Sequence, residues 1–271
     1  MPDFTTLIVE LQQGIARIRL NRPDKANSMN EAMWREISEA FHWADATPEV
    51  RVVVLTGNGR HFCSGIDLAM LMGVQQAIKD DCQGRAAEKL RGMILQLQEC
   101  LSSLERCRKP VLAAIQGACV GAGLDMVAAA DMRYCTASAH FSIKEIDIGM
   151  VADVGSLQRL PKLVAPGLVR EWTFTGRKIK APEAAACGLV NQVFESDEAM
   201  EAGVLEIARQ IAGKSPLSIR GTKEMLNYTR DHSVADGLAY IATWNAAMLI
   251  SQDIQTAMMA AMSKQTPVFR D

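Results

Sequence analysis

The stretch Lys109-Pro110-Val111-Leu112-Ala113-Ala114-Ile115-Gln116-Gly117, continued by Ala118-Cys119-Val120-Gly121-Ala122-Gly123-Leu124-Asp125, decides the fold. Its apolar run predicts a short strand buried on both faces. The glycines Gly117, Gly121 and Gly123 predict a turn, and the apolar residues 124–130 predict a helix. Strand, glycine-rich turn and helix in that order leave free N–H groups and the positive end of a dipole at the turn. Such a place suits negative charge, including an oxyanion that forms during a reaction. Phosphate is the competing occupant, but the stretch lacks the G-K-[ST] ending of a P-loop and the G-x-G-x-x-G spacing of a dinucleotide site. Taken alone, the turn is equally compatible with glycines that only let a helix lie close to a strand.

Working outward, the runs Ile15–Leu20, 51–56, Val111–Ile115 and 189–194 predict strands, and residues 31–44, 86–104 and 124–130 predict helices between them. Alternation of this kind places the chain in the α/β class. Ser28 with Glu31 has the form of a capping box, and Pro182 suits a first helical turn. Beyond residue 200 no strand-like run occurs, and 200–212, 217–229 and 234–262 read as helices. We therefore expect a core over 1–199 and a helical region over 200–271. The last helix carries Leu238, Ile241, Trp244, Ala247, Met248 and Ile254, more apolar surface than a lone peripheral helix displays. It must cover its own domain or another subunit.

With 271 residues, 49% hydrophobic and 22% charged, the chain can bury a sizeable core and is neither disordered nor fibrous in composition. A net charge of −2 supplies no overall cationic field for nucleic acid or an anionic membrane. The seven cysteines are odd in number and form no C-x-x-C pair, which argues against a disulfide framework or a zinc knuckle. His42, His61, His140 and His232 lack metal-ligand spacing, so no metal is expected. No apolar run approaches the roughly 18 to 20 residues of a membrane span. Residues 1–7 show no secretory or organellar leader, and Val268-Phe269-Arg270-Asp271 is not a peroxisomal tripeptide. The expected location is cytoplasmic.

A second glycine turn follows the strand at 51–56, in Thr56-Gly57-Asn58-Gly59-Arg60-His61-Phe62-Cys63-Ser64-Gly65-Ile66-Asp67-Leu68. With Arg22-Pro23 through Asn27, the chain resembles the crotonase (enoyl-CoA hydratase/isomerase) family, whose members carry R-P-x-x-x-N, T-G-x-G-x-x-F-x-x-G-x-D-L and G-x-x-x-G-x-G-x-[DE] in this order. The likeness continues through 141–161, Thr175-Gly176-Arg177 and 181–190. It implies a spiral of ββα units, a C-terminal helical trimerisation region and coenzyme A thioester substrates. It also implies an oxyanion hole made by the backbone N–H groups of Ser64 and Ala122, with Ala26, Cys63, Ser64, Gly65, Ile66, Asp67 and Ala122 along the coenzyme A site. Ala122 stands where many relatives have glycine, and its N–H survives the change. Two preorganised donors suit the enolate formed when a proton leaves the carbon beside a thioester, each at roughly 3 kcal/mol.

The same resemblance marks Asp125 and Glu145 as the acids that handle water and a proton in hydratases. Asp153 occupies a position that is usually glycine there. The combination of G-x-D, K-E-x-D-x-G and A-D-V-G-S-L-Q-R-L-P is similar to the Δ3,5-Δ2,4-dienoyl-CoA isomerase branch. That reaction, a step in oxidation of unsaturated fatty acids, takes a proton from C2 and returns one at C6, so it needs two separated acid/base groups. The resemblance assigns Asp153 to C2 and Glu145 to C6, exchangeably, with Asp125 in support. Three carboxylates in one partly apolar pocket predict a coupled set with at least one pKa raised. Enoyl-CoA hydratase and Δ3-Δ2-enoyl-CoA isomerase are the alternative activities.

No cofactor is expected, coenzyme A being part of the substrate, and the implied partners are copies of the chain in a homotrimer or a dimer of trimers. Each acid alone also reads as an ordinary helix-start or loop charge, the reading kept for Asp131 and Asp147. Cys63 and Cys119 read as small packing residues, since no histidine partner is identifiable. An RNA-binding reading through Arg85, Lys89, Arg91, Arg106, Arg108 and Lys109 is opposed by the interleaved Glu88, Glu99 and Glu105.

Overall fold

In the computed structural model, which describes residues 2–271, a hairpin opens the chain: β1 (Leu7–Gln12) and β2 (Ile15–Leu20) pair antiparallel from Leu7↔Leu20 to Gln12↔Ile15. Gln13 and Gly14 join them with positive φ of 52° and 79°, the twist that two-residue hairpins favour. After α1 (Glu31–Ala46), strand β3 (Val52–Gly57) lies parallel to β2. The helices α2 (Leu68–Ala77) and α3 (Gln83–Arg106) lead to β4 (Val111–Ile115), parallel to β3 in the register Val53↔Val111. There follow β5 (Ala118–Val120), α4 (Ala122–Ala128), β6 (Met132–Thr136), β7 (His140–Ser142), α5 (Ser156–Arg159), α6 (Pro166–Thr175), β8 (Ile179–Lys180), α7 (Ala181–Ala186) and β9 (Gln192–Phe194). Four helices close the chain: α8 (Asp197–Ala212), α9 (Pro216–Thr229), α10 (Val234–Met248) and α11 (Gln252–Ser263).

The strands form a six-stranded sheet in the order β1-β2-β3-β4-β6-β9 and a three-stranded sheet in the order β5-β7-β8. Side chains alternate across the larger sheet, as the two-residue period of a strand requires. Val53, Leu55, Val111, Ala113 and Ile115 join the main core with Met33, Ile37, Ala40 and Phe41 of α1 and Leu101 and Leu104 of α3. Val52, Val54, Leu112, Ala114 and Tyr134 face the other way, onto Met200, Val204 and Ala208 of α8. A strand buried on both faces has no polar side to show, which is why β3 and β4 read as continuous apolar runs.

The α/β class and the spiral of strand–strand–helix units are as expected from the sequence. Several local expectations need correction. Asn30, not Ser28, caps α1: its Oδ1 accepts from the Met33 N–H at 3.0 Å, while Ser28 lies beside Arg22 and Asp67. The expected single helix over 234–262 is two helices, since Ser251 caps α11 by accepting from the Ile254 N–H. The division at 199/200 falls inside α8, whose apolar stripe lies on the sheet. Along α10, α11 and the turn between them the apolar side chains Leu238, Leu249, Ile250, Met258, Met259 and Met262 are exposed. Among the described residues no helix is long and apolar enough to cross a membrane, and no cluster of three or more His, Cys, Asp or Glu could hold a metal ion.

Candidate active site

The parallel strands β3 and β4 end side by side, and the turns that follow them are laced together. The Cys63 N–H donates to the Ala118 carbonyl at 3.0 Å, and the Val120 N–H to the Cys63 carbonyl at 2.9 Å. A third segment, 22–29, closes over both through Asn27, which is fully buried. Its Oδ1 accepts from the Arg22 N–H at 2.8 Å, and its Nδ2 donates to the Asn58 and His61 carbonyls at 2.9 and 2.8 Å. Every hydrogen of that amide is used, so its burial carries no unsatisfied donor. The three family-like motifs thus meet in one place.

Two glycines fix the geometry. Gly121 has φ 53° and ψ −123°, a backbone conformation closed to side chains, and it starts α4 with the Ala122 N–H in the first helical position, outside the intrahelical ladder. A Cβ on Gly123 would stand 2.8 Å from the Cys63 carbonyl oxygen, so only glycine lets the two turns touch. The Ser64 N–H is engaged: it donates to the Ala26 carbonyl at 3.0 Å. Ala26 and Asn27 hold left-handed φ of 48° and 53°, a conformation that costs a non-glycine residue and that the Asn27 bonds sustain. Asp67 pairs with Arg22 at 3.0 Å and caps α2 by accepting from the Ala69 N–H at 3.0 Å, so it braces the turn. Met29 lies alongside Ile66, donating its N–H to the Gly65 carbonyl at 2.8 Å and accepting from the Asp67 N–H at 3.0 Å, and the Cys63 thiol is fully buried with its pKa pushed up to about 12, which leaves it inert.

The three acids converge beside this turn from separate elements. Asp125 sits on α4 with no exposed surface; its Oδ1 accepts the Ser156 N–H at 2.5 Å and its Oδ2 has no partner. Burial first, then the charges of Glu145 and Asp153, push its pKa up to about 7 against the pull of the Ser156 bond. Glu145 begins the tight turn Glu145–Ile148 and lays its carboxyl against Gly121, where Oε1 is 2.9 Å from the position of a Cβ on that glycine. Its Oε2 is buried without a partner, and burial with the Asp153 charge raises its pKa. Asp153 lies half-buried in the loop before α5, its pKa raised by burial. Asp125 thus feels the charges of both Glu145 and Asp153, and all three carboxyls have raised pKa values beside a helix-start N–H.

The other sequence candidates fall elsewhere. Asp131 accepts from the buried Lys223 at 2.7 Å and from the Val111 N–H at 2.7 Å, and Asp147 pairs with Lys144, both structural roles as expected. Of the cations in the RNA reading, Arg85 and Lys89 pair with Asp80, Arg106 with Glu99, Arg108 with Asp45, and Lys109 lies 3.7 Å from Asp271. Pairing of this kind leaves no stripe of free positive charge for a phosphate backbone. Sequence reasoning missed Ser156, Gln98 and Arg159, which reach the acid loop from other elements. Ser156 and Arg159 had a signal, as part of the A-D-V-G-S-L-Q-R-L-P run, and Gln98 had none.

Paired glycine turns, a helix-start N–H and buried carboxylates define a thioester enzyme of the crotonase class, and residues 10–271 match the enoyl-CoA hydratase/isomerase family, to which the chain belongs. It is 45% identical over 273 residues to the peroxisomal Δ(3,5)-Δ(2,4)-dienoyl-CoA isomerase of Arabidopsis thaliana, covering 99% of this chain and 98% of the relative. To the mitochondrial Δ(3,5)-Δ(2,4)-dienoyl-CoA isomerase of Mus musculus it is 45% identical over 259 residues, 95% of this chain and 79% of the relative. The crystal structure of an enoyl-CoA hydratase from Bacillus anthracis superposes with a TM-score of 0.89 at 28% identity, covering 98% of this chain and 99% of that one. These names correct the cytoplasmic expectation, since both isomerases are assigned to organelles. An organellar address is read by a receptor and leaves no trace in core packing, so the fold could not have supplied it.

Proposed function

We propose that the chain isomerises 3,5-dienoyl-CoA to 2,4-dienoyl-CoA in β-oxidation of unsaturated fatty acids. The observation that carries this reading is the convergence of three carboxyls with raised pKa values, one of them about 7, beside the Ala122 N–H. The Asp153 carboxylate takes the C2 proton, and the electron pair left behind spreads as a dienolate from the thioester oxygen to C6. The Ala122 N–H, outside the helix ladder, holds the negative oxygen, and the Ser64 N–H joins it only by leaving the Ala26 carbonyl. Protonated Glu145 delivers its proton at C6, leaving double bonds at C2 and C4. Atoms balance without water or cofactor, and the two acids exchange protonation states in each turnover. Asp125 holds the Ser156 N–H and, by its own near-neutral pKa, keeps the local negative charge low at working pH.

The exposed apolar side chains of α10 and α11 support assembly into a homotrimer, in which a second copy covers them. The activity is tested by adding a 3,5-dienoyl-CoA and following the absorbance of the conjugated 2,4-dienoyl thioester. Wild type is expected to produce it. Asp153→Asn is expected to lose at least about a hundredfold in rate while keeping its fold and thioester affinity. Hydration of a 2-enoyl-CoA with no diene shift would instead assign the chain to the hydratases.

A further inference from the structure

The Asp153 carboxyl accepts no side-chain hydrogen bond, so its aim depends on the backbone that carries it. That backbone is gripped at successive positions. Gln98 on α3 donates from Nε2 to the Asp153 carbonyl at 2.6 Å. Arg159 on α5 reaches the Val154 carbonyl with Nη1 at 3.5 Å, and its guanidinium fills the space a side chain on Gly155 would need. The Ser156 N–H is held by Asp125. Arg159 is itself fixed by Glu105 at 3.0 Å and by the Ser102 hydroxyl at 3.0 Å, both on α3. Just upstream, Gly149 turns with φ 74° and closes the Glu145 turn, and Val151 beyond it is 72% exposed.

We propose that Gln98 is a positioning residue for the isomerisation: its amide clamps the Asp153 peptide to α3 and thereby sets where the Asp153 carboxyl points. The inference rests on the dienoyl-CoA isomerase reading above. The Gln98–Asp153 bond is the shortest of the backbone grips just described apart from that of Asp125, and it acts on the peptide of the acid itself. A helix as long as α3, 24 residues with Leu101 and Leu104 in the core, is a stiff mount for such a clamp. Loss of the clamp frees the Asp153 peptide from α3, and a displacement near 1 Å at a reacting group costs on the order of a hundredfold in rate.

Gln98→Met keeps the length and helix preference of the side chain and removes the donor. We expect kcat on the diene substrate to fall on the order of ten- to a hundredfold, with KM within about twofold because the thioester contacts are untouched. Glu145 and Asp125 still face Asp153, but release toward water lowers its pKa, so the limb of the pH–rate profile set by the base moves to lower pH. Amide hydrogen exchange over 149–156 should quicken while the rest of α3 stays protected. Gln98→Glu, which sets an acceptor against the carbonyl, should likewise lower kcat and quicken exchange, but its negative charge beside Asp153 opposes the downward move of the pH limb. Wild-type kcat and wild-type exchange in Gln98→Met would overturn the clamp, as would a slower enzyme with unmoved exchange and an unmoved pH limb. If wild type itself fails to isomerise dienes, the activity reading falls, and the exchange measurement still decides the clamp.

Discussion

Asp125→Asn should gain stability relative to wild type as pH rises through neutrality. The folded protein holds this carboxyl at about 7 in place of 3.8. At 1.36 kcal/mol for each pH unit, its charged form is disfavoured in the folded state by about 4 kcal/mol relative to the unfolded chain. Between the two values the folded protein binds more protons than the unfolded chain, so this contribution is fully present below the unfolded pKa and is lost as pH rises through the folded one. From pH 5 to pH 8 wild type thus loses about 3 kcal/mol from this one group. Asparagine keeps an oxygen for the Ser156 N–H and has nothing to titrate. The other ionisable groups are shared; Glu145 and Asp153, which are coupled to Asp125, lose its repulsion in the variant and add to the difference in the same direction. Urea unfolding of both at pH 5 and pH 8, at one protein concentration and ionic strength, should show the stability difference shift by about 3 kcal/mol in favour of the variant at the higher pH. A shift within about 0.5 kcal/mol, the usual limit of additivity, would refute the claim that Asp125 is held neutral by its surroundings.

Ala122→Pro removes one N–H and little else, because proline is suited to a first helical position and Gly121 before it tolerates the ring; kcat should drop on the order of a hundred- to a thousandfold with Tm nearly unchanged, and full activity would remove Ala122 from the oxyanion hole. Sedimentation should give a trimer or a pair of trimers, and Ile250→Asp with Met259→Asp should shift it toward monomer, whereas monomeric wild type would contradict the assembly.

Much of the larger sheet was legible because its strands are buried on both faces, and β2 and β4 stand where their apolar runs do. The three-residue strands β5 and β7 were not, since a run of that length has no measurable period and pairs only because the Cys63 segment lies beside it. β1 was missed as well, although Gln13-Gly14 between two alternating segments is a hairpin signal. The break between α10 and α11 hides in an apolar stretch, with Ser251 its one mark. At the site, Asp125, Glu145 and Asp153 were identifiable by resemblance alone. Their neighbours Gln98 and Ser156 act through an amide and a backbone N–H, which any helix or loop can supply, so no pattern of residue types announces their roles.

The bond between the Ser64 N–H and the Ala26 carbonyl makes Ser64 a contested donor in the oxyanion hole proposed above. A peptide carbonyl is a better acceptor than a neutral thioester oxygen, so an incoming substrate gains little by competing for that hydrogen. An enolate oxygen bears negative charge, and charge-assisted bonds are roughly twice as strong as neutral ones. On that proposal the hydrogen would change allegiance only as charge appears. Ala26 would then be a threshold that withholds a contact from the resting substrate and releases it to the species at the top of the barrier, so that the interaction would raise turnover and not mere occupancy.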